Sequence, residues 1–241
     1  MTAHRVRVDV ATGWTSPDAP REIDTAAVAD RPDVPGWLAA LTTDDRLGLH
    51  GRTLTQLVEG EPVEVIEEAG DWVRVVAPWQ PAPEDSRGYP AWVRRAHVSE
   101  APDEPAAEEP VPSAHIHADR LGVLDYARRY VGLHYLWGGT CEWGLDCSGL
   151  VHYSYRQAGV VIPRDADAQY RTAAPVSLGD EQPGDLYFFV REDGYVFHIG
   201  FVTGPRHLLH APESGRLIEE VHMSQQRSDT LLAAGRFLTA G

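Results

Sequence analysis

The sequence predicts an α+β protein in which a small β-barrel precedes a larger region of helices followed by strands. Three observations carry this. Residues before 99 read as short alternating strands rich in tryptophan. Residues 99–116 are acidic and proline-rich. Beyond them, two amphipathic helices precede a run of strands. Helices and strands segregated in that order mark the α+β class rather than alternating βαβ units. The expected division is therefore 1–98, a linker at 99–116, and 117–241.

In the first part, "EPVEVIEE" and "DWVRVVAP" alternate apolar and polar residues across the break "AG", a hairpin signal. "RVRVDV" and "YPAWVRRAHV" supply further strands, and five of the seven tryptophans lie here. Short aromatic-rich strands of this kind suggest a little barrel. Between "RVRVDV" and "TLTQLVEG" lies a less regular insert, in which "PGWLAALTTDDRLG" can hold one or two short helices. The stretch "SEAPDEPAAEEPVPSA" holds four prolines and five acidic residues with no aromatic. It cannot bury enough apolar surface to order itself and reads as a linker.

After the linker, "ADRLGVLDYARRYVG" places Val123, Ala127, Tyr130 and Val131 on one helical face, with Gly132 as the stop. "CSGLVHYSYRQAG" places Cys147, Leu150, Val151, Ser154 and Tyr155 at helical spacing, with Gly159 ending it. "DLYFFV", "YVFHIGFV", "RHLLHA" and "RLIEEVHM" read as strands.

The net charge of −15 argues against partners that are nucleic acids or anionic membranes, both of which need clustered cations. All 21 basic residues are arginine, which we read as a coding bias. No apolar run approaches the roughly 20 residues of a membrane helix. The amino terminus lacks the apolar core of a secretory signal. A cytoplasmic location is expected unless a leader is removed from a longer gene product.

Cys147, in "GLDCSGLVHYSY", is open to four readings: a small core residue, half of a disulfide, a metal ligand or a nucleophile. A bridge to Cys141, the other cysteine, would close a very short loop. There is no His-Glu-x-x-His or Cys-x-x-Cys pair, so no metal site is expected. In the first turn of a helix, exposed N–H groups and the positive dipole end stabilise a thiolate and lower its pKa. The same donors can meet an oxyanion during acyl transfer. Asp146 is the expected N-cap. A cysteine nucleophile needs a base, and the base an orienting group. His198 and His210 stand 12 residues apart on two strands joined through "TGPR", which can bring them side by side. His97, His115, His117, His207 and His222 are assigned to loops, linker or surface. His152 is expected to point away from Cys147.

The run "YVGLHYLWGGTCEWGLDCSGLVHYSYRQAGVVIPRDADAQ" (130–169), with "QPGDLYFF", "FHIGFV" and "LLHA" after it, resembles the NlpC/p60 family of cell-wall cysteine peptidases, whose fold is papain-like. The resemblance spans roughly residues 117–240. It implies Cys147 as nucleophile, His198 as general base and His210 as the residue orienting it. Tyr135 would help the N–H of Cys147 form the oxyanion hole, and no cofactor is implied. Cys141 departs from the family pattern, which has a small polar residue there.

"TQLVEGEPVEV", "GDWVRV" and "GYPAWV" resemble the bacterial SH3-like domain of a subgroup that recycles murein peptides. That resemblance implies a γ-D-glutamyl-L-diamino acid endopeptidase acting on murein peptides with a free amino-terminal L-alanine. Glu61, with Glu59 as its nearest rival, Tyr89 and Asp165 would meet the alanine ammonium. Ser148, beside the nucleophile, would line the same subsite with Asp146. Arg164 is a candidate partner for a substrate carboxylate. Two alternatives stand beside this reading: a secreted endopeptidase or amidase cutting intact wall, and a non-catalytic murein-binding module.

Overall fold

The computed structural model describes residues 4–100 and 117–239. The amino-terminal part contains strands β1 (His4–Val6) and β2 (Val10–Trp14), helices α1 (Thr25–Val28), α2 (Val34–Ala40) and α3 (Thr43–Leu47), and strands β3 (Thr53–Val58), β4 (Pro62–Ala69), β5 (Trp72–Ala77), β6 (Tyr89–Arg94) and β7 (Val98–Glu100). The strands form one antiparallel sheet in the order β3-β2-β6-β5-β4-β1-β7. Its edge strands β3 and β7 are not neighbours, so the sheet is not the closed barrel the tryptophan-rich strands suggested.

The expected hairpin is β4–β5. Ala69 pairs with Trp72, leaving a two-residue turn. Gly70 takes its first central position at φ 58, where glycine carries no Cβ penalty. On β6, Tyr89, Ala91 and Val93 are buried while the residues between them are half-exposed, the two-residue period of a strand with one face on a core. "RVRVDV" was read as one strand but breaks between β1 and β2. The insert builds its own core: Trp14, Trp37, Leu38, Leu41 and Leu49 cluster with Leu136 and Cys141 of the carboxy-terminal part. Asp24 is fully buried, accepting from Trp37 Nε1 (3.0 Å) and from Arg21 Nε (2.8 Å) and Nη2 (2.9 Å).

β7 takes in Ser99 and Glu100, the first residues of the expected linker; residues 101–116 lie outside the described residues. Then follow α4 (Arg120–Arg128), β8 (Thr140–Cys141), β9 (Gly144–Leu145), α5 (Cys147–Gln157), α6 (Ala166–Thr172), β10 (Ala174–Val176), β11 (Leu186–Val190), β12 (Val196–Gly204), β13 (His207–His210), β14 (Glu219–His222), α7 (Gln225–Asp229) and β15 (Leu231–Arg236). The order β10-β15-β11-β12-β13-β14 makes a six-stranded sheet, antiparallel throughout, and this part is α+β.

Helix α4 stops at Arg128, short of the predicted end. Tyr130 is therefore only half-buried and Val131 is 47% exposed. Helix α5 is buried from Cys147 to Arg156, because α4, the sheet and the amino-terminal part enclose it. Tyr155 stacks on Phe201 of β12 at 6.2 Å between ring centres.

Candidate active site

Cys147 opens α5, and the sequence around it folds so that the helix start is tightly held. Asp146 is the N-cap, accepting from Gly149 N (2.6 Å). Its other oxygen accepts from Gly138 N (2.9 Å), which ties the Trp-Gly-Gly segment to the helix. A Cβ on Gly149 would collide with the carbonyl oxygen of Gly139, and one on Gly139 with that of Gly144, so each glycine permits its own close approach.

Asp146 also receives Arg164, through Nη2 (2.6 Å) and Nη1 (3.1 Å). Arg164 is 1% exposed and donates further to Ser148 Oγ (2.9 Å) and, through Nε, to Thr55 Oγ1 (3.1 Å) on β3. The carboxylate role considered for Arg164 is thus corrected: its guanidinium is occupied in holding Asp146 and Ser148 across the two parts of the chain.

A cavity of about 260 Å³ opens above Cys147. Tyr135, Trp137, Asp146, Ser148 and Asp165 line it from one side; Thr53, Leu54 and Tyr89 line it from the amino-terminal sheet; Arg191 and Tyr195 stand at the loop between β11 and β12. Tyr89 Oη donates to Asp165 Oδ2 at 3.0 Å. Burial raises the Asp165 carboxyl above its usual range, Arg164 opposing. Burial likewise raises the Tyr89 and Tyr135 phenols, with the Asp165 charge adding to the first.

The structure does not bring Glu61 to this cavity. Its side chain is 0% exposed and accepts from Arg156 Nη1 (2.9 Å), Gln80 Nε2 (2.7 Å) and Val58 N (3.1 Å). Every oxygen is engaged inside the junction, so the ammonium-binding role expected of Glu61 is corrected. Its rival Glu59 lines a separate cavity, with Cys141 and Trp143.

Behind Cys147, strand β12 packs against α5, and the backbone N–H of Ile199 favours the thiolate. His198, the preceding residue, is 2% exposed, and its Nε2 lies 2.8 Å from His210 Nδ1. Gly200 makes room for this pair, since a Cβ there would crowd the Cβ of His210. Burial, then Arg227, depresses both imidazoles, His198 well below its ordinary value and His210 to about 3. Both are neutral near pH 7.

The thiol differs from expectation. Burial pushes Cys147 up to about 12, Asp146 adding to it, against the N–H groups of Ser148 and Ile199 and the Arg164 charge. The helix start alone does not make a resting thiolate. A thiol raised in this way needs a base to take its proton as attack occurs.

Cys141 is buried and free, its thiol raised by burial to about 11. His97 is corrected from surface to core: it is 1% exposed and bonds Ala29 O at 2.7 Å. His152 is fully buried, its Nδ1 3.0 Å from Ile162 O. Among the described residues, no group of three or more His, Cys, Asp or Glu is arranged to hold a metal ion. Sequence reasoning passed over Thr55, Trp137 and Arg191. Trp137 stacks on His50 at 4.1 Å and donates from Nε1 to Thr53 O (3.1 Å); its place in the Trp-Gly-Gly run beside Asp146 was the available signal.

The NlpC/P60 family model matches residues 132–236. The chain is similar to the γ-D-glutamyl-L-lysine dipeptidyl-peptidase of Bacillus subtilis, 29% identical over 97% of this chain and 98% of that protein. It is 26% identical to the enzyme of the same name from Bacillus cereus, over 91% and 86% of the two chains. It also matches the crystal structure of an NlpC/P60 family protein from Bacillus cereus, with a TM-score of 0.89 at 24% identity, over 98% of this chain and 100% of that one. Cys147, His198 and His210 all lie within the residues that match the NlpC/P60 family model.

Proposed function

We propose that the chain is a cysteine peptidase that hydrolyses the γ-D-glutamyl–diamino acid bond of murein peptides bearing a free amino-terminal L-alanine. Relatives that span nearly the whole chain are named γ-D-glutamyl-L-lysine dipeptidyl-peptidases, which supports the bond and the substrate class. The observation that carries the free-amine requirement is the Tyr89–Asp165 pair in the wall of the Cys147 cavity. The Asp165 carboxylate is only half-buried, and an ammonium facing it there forms a charge-assisted hydrogen bond. A peptide whose nitrogen is acylated offers no charge to that carboxylate and forgoes the bond. A free alanyl nitrogen belongs to peptides already released from glycan, so this reading carries a role in murein-peptide recycling.

In this mechanism His198 takes the Cys147 proton as the sulfur attacks the γ-carbonyl carbon. The oxyanion meets the N–H of Cys147 and the Tyr135 hydroxyl. The C–N bond breaks, His198 protonates the leaving amine, and L-Ala-γ-D-Glu remains as a thioester. Water, deprotonated by His198, releases it and restores the thiol. Arg191, rather than Arg164, is the cation available at the cavity rim for a substrate carboxylate. We read residues 1–98 as an SH3-like module forming one wall of the cleft, and 117–241 as the catalytic domain, joined by 99–116.

Incubation with L-Ala-γ-D-Glu-L-Lys, its diaminopimelate counterpart and their N-acetylated forms, with Cys147→Ala as control, tests the reading by mass spectrometry. Cleavage of the free-amine peptides alone, lost in the control, is expected. Equal cleavage of the acetylated peptides overturns the amine pocket. No cleavage of any peptide overturns the peptidase reading in favour of a binding module.

A further inference from the structure

The mechanism leaves one nitrogen unaccounted for. Nε2 of His210 is buried, the side chain being 4% exposed, and among the described residues it makes no hydrogen bond. It faces β14, where the strand register sets Glu219 directly opposite His210. Glu219 Oε1 stands 3.4 Å from that nitrogen. The other oxygen, Oε2, is 3.3 Å from Arg216 Nη2. His198, His210 and Glu219 thus follow one another, the first contact a 2.8 Å hydrogen bond and the second a 3.4 Å approach.

We propose that Glu219 is a positioning residue: its carboxylate holds His210 as the Nε2–H tautomer, which keeps Nδ1 free to accept from His198 when His198 carries the thiol proton. This rests on the peptidase reading above. One hydrogen can occupy the 2.8 Å gap between the two rings. A protonated His198 has N–H on both nitrogens, so Nε2 must donate and His210 Nδ1 must accept. The proton of His210 is then on Nε2, and a buried N–H without an acceptor is costly. Glu219 supplies the acceptor.

Its charge also matters. His210 is faced by His198 from β12, Glu219 from β14, Arg227 from α7 and Arg216 from the β13–β14 turn; Glu213 of that turn acts on Arg227. Both arginines oppose an imidazolium, and Glu219 opposes the arginines. A contact of 3.4 Å is long for the free enzyme, and such contacts tighten as charge develops.

The test is the rate of Cys147 alkylation by iodoacetamide across pH, read by mass spectrometry on the Cys147 peptide in the full chain. Alkylation reports the thiolate and needs no peptide substrate. Glu219→Ala should slow it about tenfold at neutral pH and move the rising limb to higher pH, since an imidazolium that is harder to form leaves the thiol to ionise alone. Glu219→Gln keeps an acceptor but no charge and should fall between. If Glu219 served only to anchor the turn through Arg216, Arg216→Ala would slow alkylation equally; the proposal requires that it does not. A Glu219→Ala profile superimposing on wild type overturns the role of Glu219 alone, provided His198→Ala does move the profile. An unmoved His198→Ala profile overturns the base assignment and this proposal with it.

Discussion

Glu61→Ala separates the two roles that a buried acid near the cleft could have. Glu61 is 0% exposed and Arg156 3%, their closest atoms 2.9 Å apart. Gln80 and the Val58 N–H complete the carboxylate's shell. Removing one partner of such a pair leaves the other charge buried, at about 3–5 kcal/mol. Among the described residues Arg156 Nη2 already lacks a hydrogen bond, so beyond the Tyr153 ring 5.4 Å from its guanidinium little remains to compensate the charge. In a chain of this size each kcal/mol moves the thermal midpoint by about 2–4 °C, so the midpoint should fall by about 6–20 °C. The double variant Glu61→Ala/Arg156→Met removes both charges and should recover most of the loss, because apolar replacement of a whole buried pair is often neutral. Calorimetry measures the midpoint. On the same preparations, the ratio of kcat/KM for free and acetylated peptide should stay within about twofold of wild type, because no direct partner of Glu61 lines the cavity and its link to Asp146 runs only through Gln80, Thr55 and Arg164. An unchanged midpoint together with loss of that ratio would refute the argument and return Glu61 to substrate recognition.

Other outcomes follow from the same geometry. Asp165→Asn should lower kcat/KM for the free-amine peptide by about 10- to 100-fold, the worth of a charged hydrogen bond, and leave the acetylated peptide nearly unaffected. Because the Asp165 carboxyl is raised from its ordinary value, the preference for the free amine should fade as pH drops through its titration. That limb should be absent in Asp165→Asn, measured as the ratio of the two rates against pH. Arg164→Met strands the Asp146 carboxylate and should cost about 3–5 kcal/mol, read as a lowered thermal midpoint, with kcat falling as the helix start loosens. Arg191→Ala, at an exposed position, should raise KM about two- to fivefold with kcat unchanged, by steady-state kinetics.

What the sequence made legible was local. Asp146, Cys147 and the helix after them stand within one turn of each other, so capping chemistry and helical spacing read directly. His198 and His210 lie on adjacent strands joined by a short turn, and their 2.8 Å contact follows from that hairpin. What stayed hidden was set by partners far away in the chain. Arg164 reads as a partner for a substrate carboxylate until Asp146 and Thr55 fold around it. Glu61 reads as an ammonium-binding acid until Arg156, 95 residues on, is laid against it. His97 reads as a loop or surface residue until Ala29 of the irregular insert is laid against it. The thiol's upward shift was missed because the helix dipole is visible in sequence while burial is not.

The most direct test of the central claim is rapid quenching during turnover of L-Ala-γ-D-Glu-L-Lys, followed by mass spectrometry of the intact and digested protein. The account predicts an acyl adduct with the mass of L-Ala-γ-D-Glu on Cys147, absent from Cys141 and absent with the acetylated peptide. Turnover with no adduct on Cys147, sustained in Cys147→Ala, would contradict it.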